Sequence, residues 1–196
     1  MTNIRLANKK DCQQVAKIHF QEIKWGFLSR LGEKFLCYFY QALIDSPGGF
    51  LIIAEIDNSL VGFIGGSTDL KKFYKVFTKK YFFKVLPFLF RRLFSIDMLK
   101  KIYETRKYSK EENNLPKSEL ISIAVSSEIQ GTGISTQLLD NFFLEMKRRK
   151  IRTIKVIVGE NLVQANKFYQ KNGFKFHSRS FIHKDMPSII YIYNIN

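Results

Sequence analysis

Apolar and polar positions alternate along the chain in two rhythms, one of period two and one of helical period. "NIRLA" at the start reads as a first strand. Asp11 stands where a helix cap is expected, with Val15, Ala16, Ile18 and His19 on or near the inner face of the helix that follows. In "LGEKFLCYFYQALIDS" the residues Phe35, Leu36, Phe39 and Leu43 recur at helical spacing, and "SPGG" ends the run. "FLIIAEIDNSLVGFIGGST" reads as a hairpin, two β-rich runs around Asp57, Asn58 and Ser59. From about residue 70 to 106 comes a basic, aromatic-rich helical stretch, with Pro87 as a break or first-turn residue. "EENNLPKS" is a loop and "ELISIAV" a buried strand. A glycine turn then leads into the helix "STQLLDNFFLEMKRRK". The strand "TIKVIV", a helix near "NLVQANKFYQKN" stopped by Gly173, and the strands "FKFHSRSFI" and "SIIYIYNI" complete the chain. The order β-α-α-β-β-α-β-α-β-α-β-β implies a mixed α/β sheet. No internal repeat or low-complexity linker divides it, so 1–196 is read as a single domain.

Composition narrows the picture. The 196 residues suffice for one sizeable core, and 45% hydrophobic content argues against disorder. Lys and Arg number 32 against 17 Asp and Glu, a net charge of +15 that favours an anionic partner. Cys12 and Cys37 lack metal-ligand spacing and fit a reducing cytoplasm better than a disulfide framework. The first residues have no apolar signal core, and no charge-free apolar run reaches spanning length. A cytoplasmic location is therefore expected.

The chemistry concentrates in Gln130-Gly131-Thr132-Gly133-Ile134-Ser135, between a strand and a helix. Glycines let backbone approach a ligand closely, and free N–H groups at a helix start attract phosphate. A nucleotide-hydrolase loop needs Lys and Ser/Thr after its last glycine, where Ile134 stands. A dinucleotide fingerprint needs a third glycine at the position of Thr136. An ordinary tight strand-to-helix turn remains the plain alternative.

"ELISIAVSSEIQGTGISTQLLDNFF" resembles motif A of the GNAT superfamily of N-acetyltransferases, Gln/Arg-x-x-Gly-x-Gly/Ala after a strand. Gln130 and Gly133 match, and Ser135 departs from the final Gly/Ala. "NLVQANKFYQKNGF" resembles the second signature of that family. Ala165, Tyr169, Gly173 and Phe174 fit it, while Asn161 lies one residue early with Leu162 in its place.

The resemblance implies a twisted, mostly antiparallel sheet of about seven strands with flanking helices. The basic segment 70–110 would be an insert between the third and fourth strands. It implies an acyltransferase in which an amine directly attacks acetyl-CoA, used as a co-substrate without a metal. Backbone groups of Ile123, Ala124 and Val125 would meet pantetheine, and N–H groups of Gln130, Gly131, Thr132, Gly133, Ile134 and Ser135 the pyrophosphate. Asn161 and Asn166 are candidates for the displaced asparagine's pantetheine contact. Val125 N–H would steady the oxyanion, and Tyr169 would protonate the leaving thiolate. Glu119, six residues before Val125, is the candidate base, and strand alternation sets it on one face with Ile121, Ile123 and Val125. Glu22, Glu55, His19 and His177 are weaker candidates.

A small polar amine, such as an amino sugar, is the expected acceptor. Protein N-terminal or lysine acetylation and a non-catalytic acetyl-CoA sensor are the other readings. The segment 70–110 suggests a plain packed helical pair, an anionic-acceptor lid or a membrane-surface helix, with nucleic acid disfavoured. A homodimer through the last strands is left open.

Overall fold

The structure is a computed structural model that describes residues 2–24, 26, 28–92, 115–183 and 186–195. The part of the insert from 93 to 110 thus lies outside the described residues.

Seven strands form one sheet in the order β1-β2-β3-β4-β5-β7-β6. They are β1 (Thr2–Leu6), β2 (Gly49–Ile56), β3 (Ser59–Ser67), β4 (Glu119–Val125), β5 (Thr153–Gly159), β6 (Lys175–His183) and β7 (Met186–Asn194). Only β4 and β5 run parallel; every other pair is antiparallel. β7 inserts between β5 and β6, so of the last two strands only β6 lies at an edge.

Among the described residues the helices are α1 (Cys12–Glu22), α2 (Glu33–Asp45), α3 (Leu70–Val76), α4 (Phe82–Arg92), α5 (Ile134–Arg148) and α6 (Val163–Lys171). Two cores result, one on each face of the sheet. α1, α2 and the insert pack on Leu51, Ile53, Phe63 and Ala124. α5 and α6 pack on Phe50, Ile52, Ala54, Ile64 and Val156. β2 feeds both cores by alternation, which explains why its residues Gly49 to Ala54 read as one unbroken apolar run.

Two local expectations change. Asp11 stands at the start of α1 without capping it. Its carboxylate instead accepts the Asn8 N–H and pairs with Arg5 at 2.9 Å, because a short 3₁₀ turn precedes the helix. Pro87 lies inside α4 rather than at a break. The carbonyl that its missing N–H would have met belongs to Phe83, which is on the solvent side, where water can satisfy it. A single π-turn (Phe77–Tyr81) joins α3 to α4, so the chain is helical from Leu70 to Arg92.

Candidate active site

β4 carries the decisive irregularity. Its register with β3 shifts between Gly65 and Gly66, which pair with Ser122 and Leu120. Ile121 is therefore an extra residue, a β-bulge. Gly66 suits the position, since a Cβ there would lie 2.3 Å from the Phe142 ring. The bulge resets the alternation. Leu120, Ile123 and Val125 pack with the α5/α6 core, while Ile121 and Ala124 pack with the α1/α2 core. Glu119 alternates with Leu120 and so shares the α1/α2 side with Ile121. The expected common face for Glu119, Ile121, Ile123 and Val125 does not form, because simple period two cannot cross a bulge.

β4 and β5 pair only at Glu119↔Lys155 and Leu120↔Val156, then separate. The Ser126 N–H donates to Val61 O at 2.8 Å, which makes residues 126 and 61 a hydrogen-bonded pair. By antiparallel alternation, Ala124 bonds to β3, whereas the backbone groups of Ile123 and Val125 turn away from it into the β4–β5 gap. Ala124 is thereby directed elsewhere than its expected ligand contact. The Val125 carbonyl is met by the Gln130 side-chain amide at 3.2 Å.

The glycine turn stands at the open end of this gap. Gly131 and Gly133 have φ of +84° and +86°. A Cβ on either would meet nothing within 4 Å, so backbone conformation rather than crowding calls for glycine. Thr132 Oγ1 donates to Ile129 O at 2.7 Å and folds the turn. Thr136 and Gln137 N–H both bond to Gly133 O, so the N–H groups of Ile134 and Ser135 precede the first intrahelical bonds of α5. Glu22, at the end of α1, accepts the Ser127 N–H at 3.0 Å and the Gln130 amide at 3.4 Å. It ties the turn to α1 and is thereby engaged away from the base role considered for it. The Gln130 side chain, expected only to lend its backbone, is the other half of this tie.

The second sequence block has a physical explanation. Phe174 N–H bonds to Tyr169 O and Gly173 N–H to Gln170 O, with Gly173 at φ +84°, a Schellman end to α6. The Tyr169 and Phe174 rings meet edge to face at 5.2 Å. Tyr169 is buried, and that burial raises its pKa, keeping the phenol protonated. Asn166 is also buried: its amide donates to Gly159 O and Leu162 O at 3.0 and 2.8 Å, and its carbonyl accepts from the Tyr191 hydroxyl at 3.0 Å. Those bonds fold the β5–α6 loop and occupy the side chain proposed for pantetheine. Asn161 is exposed in that loop.

Glu119 Oε2 lies 3.6 Å from Lys155 Nζ, both side chains nearly buried. Glu55 is held by Arg5 at 2.7 Å, which lowers its pKa, on the far β1–β2 side. His177 is exposed on β6. His19 is buried, and burial alone lowers its pKa to about 4. Its Nδ1 is 2.5 Å from the Tyr40 hydroxyl, which is 2.8 Å from Ser122 Oγ. This buried chain links α1, α2 and β4. The sequence marks neither Tyr40 nor Ser122, whose partners lie far away along the chain.

Comparison with known proteins agrees with this geometry. Among solved structures, the ribosomal-protein-S18-alanine N-acetyltransferase of Escherichia coli aligns at TM-score 0.63 and 14% identity, over 100% of this chain and 95% of its own. The PaiA N-acetyltransferase of Thermoplasma acidophilum, in complex with coenzyme A, aligns at 0.64 and 14%, over 99% of each chain. The putative acetyltransferase yncA of Salmonella typhimurium, with its cofactor acetyl-CoA, aligns at 0.63 and 13%, over 100% and 95%. At such identities the likeness is one of fold. No curated protein matches the sequence. The acetyltransferase (GNAT) family model matches residues 17–174, most of the chain. With its splayed parallel strands and glycine turn, this chain belongs to the GNAT family of acetyltransferases.

Proposed function

We propose that the protein transfers the acetyl group of acetyl-CoA to the primary amine of a small polar molecule, with an amino sugar as the leading class. The observation that carries this reading is the β4–β5 gap, lined by the backbone of Ile123 and Val125 and closed at one end by the glycine turn. Pantetheine lies along that backbone in this reading, and the N–H groups from Gly131 to Ser135 receive the pyrophosphate. Ser135 adds a hydroxyl where a glycine or alanine is usual.

The neutral amine attacks the thioester carbonyl carbon. Val125 N–H stabilises the oxyanion as it forms. The carbon–sulfur bond then breaks, and Tyr169 gives its phenol proton to the thiolate. Burial keeps the phenol in the protonated form that a donor needs. Glu119 takes the proton of the amine. Its support is its place on the α1/α2 side of β4, with Lys155 Nζ 3.6 Å from its carboxylate. Residues 1–196 act as one domain, in the cytoplasm. Among the described residues no helix is long and apolar enough to cross a membrane.

Calorimetric titration with acetyl-CoA, followed by thiol release over a panel of amino sugars, polyamines and peptides, tests the reading. Binding with turnover on small amines is expected. Turnover on peptides alone would replace the acceptor class, and binding without any turnover would leave a sensor.

A further inference from the structure

The helical run from Leu70 to Arg92 contains eight basic residues and no acidic one. One side is fixed to the protein. Phe73, Tyr81 and Val85 are buried against the α1/α2 core, and the Tyr81 hydroxyl donates to Asp45 at 3.0 Å. The other side has a composition that a merely soluble surface does not need. Tyr74, Phe82 and Phe83 are 51%, 41% and 81% exposed, and the two phenylalanines meet edge to face at 5.5 Å. These aromatic side chains stand among Lys71, Lys72, Lys75 and Lys79, all exposed on the same helical run. Asp45, paired with Lys9 at 2.6 Å, also lies 3.7 Å from Lys80. Among the described residues, Lys71, Lys72, Lys75 and Lys79 are exposed without an ion pair within 4 Å.

We infer that the outer face formed by Lys71, Lys72, Tyr74, Lys75, Lys79, Phe82 and Phe83 docks on an anionic lipid surface, with Phe82 and Phe83 entering the headgroup boundary and the lysines lying over the lipid charges. Exposed phenylalanine is costly in water and gains by entering a bilayer interface, while lysines carried on long stems reach headgroups around it. Nucleic acid would match the charge. The exposed lysines Lys71, Lys72, Lys75 and Lys79 give no bidentate phosphate grip. The inference is independent of the acceptor and of the catalytic roles proposed above.

The full-length protein would be sedimented with vesicles of phosphatidylcholine alone and of phosphatidylcholine mixed with phosphatidylglycerol, at low and high salt. Binding to the mixed vesicles only, weakened by salt, is expected. Paired Phe82→Ser and Phe83→Ser changes should reduce it by at least tenfold. Each of Lys71→Gln, Lys72→Gln, Lys75→Gln and Lys79→Gln should reduce it by about fivefold. Phe176→Ser, at a residue 61% exposed on β6, should leave it unchanged. All these positions are on the surface, and circular dichroism would verify that each variant folds. Absence of binding at low salt would overturn the inference. So would binding indifferent to Phe82 and Phe83, or complete displacement by a single-stranded oligonucleotide, which would assign the face to nucleic acid.

Discussion

Glu119 and Lys155 face each other at 3.6 Å across the first of the two steps that join β4 to β5. The pair sits where parallel strands are about to separate, and its charges are nearly out of solvent. As the proposed base, Glu119 acts only when ionised, so activity rises with pH as it loses its proton. Glu119→Gln should lower kcat/KM by about 10²–10⁴-fold and remove that rise. Lys155→Met removes the partner 3.6 Å from Glu119 and should lower kcat/KM as well, by less than Glu119→Gln. Unchanged profiles in both variants would end the assignment. The readout is kcat/KM against pH, with a check that each variant still binds acetyl-CoA.

Tyr169→Phe keeps the ring that packs on Phe174 and removes only the hydroxyl. Turnover should fall by about 10²-fold or more with little change in acetyl-CoA affinity. Wild-type activity should show no loss from Tyr169 ionisation at moderately alkaline pH, because burial raises that pKa. Steady-state kinetics and calorimetry on the same preparation separate the two effects.

Gly133 holds φ at +86° with open space around its Cα. Gly133→Ala should strain the turn by about 1–2 kcal/mol and weaken acetyl-CoA binding. Gly133→Asn should be milder, since asparagine tolerates the left-handed region. Crowding, by contrast, would rank the variants by volume alone. Calorimetric affinities of the two variants decide between these accounts.

His19 gives the fold a pH dependence whose sign follows from burial. An unfolded chain takes up the histidine proton near its ordinary value of 6.5, whereas the native chain resists it until about pH 4. Between those values the unfolded state binds more protons, so stability falls as pH falls, by an amount on the order of 3 kcal/mol. Below about pH 4 this contribution levels off. Because Nε2 has no hydrogen-bond partner, the tautomer that leaves it a bare lone pair and puts the ring proton on Nδ1, towards the Tyr40 hydroxyl, costs less than one with a buried unpaired N–H. His19→Leu should flatten the slope of unfolding free energy between pH 6.5 and 4 in urea titrations. An unaltered slope would show that other groups set it.

The two signature blocks were legible as sequence because their physics is local. Gly131, Gly133 and Gly173 are required by positive φ within their own turns, and Tyr169 and Phe174 meet across a single helix end. The amphipathic helices were likewise written in a period of 3.6, and the β2–β3 hairpin in two β-rich runs around Asp57, Asn58 and Ser59. What lay beyond the sequence depends on which strand passes beside which. The bulge at Ile121 reverses the facing of every later residue in β4, and nothing in "ELISIAV" marks it, because both faces of that strand are apolar. Only the fold brings Glu22 to the glycine turn, Lys155 to Glu119, and His19, Tyr40 and Ser122 into one chain. The same holds for Asn166, whose neighbours in sequence suggested a ligand contact while its bonds to Gly159, Leu162 and Tyr191 fold a loop. By itself, then, the sequence determined the elements and the glycine turn, since local dihedral preference and hydrophobic period act over a few residues. The tertiary structure decided the facing and partners of the polar side chains, since those depend on strand register and on contacts between residues as much as 108 positions apart.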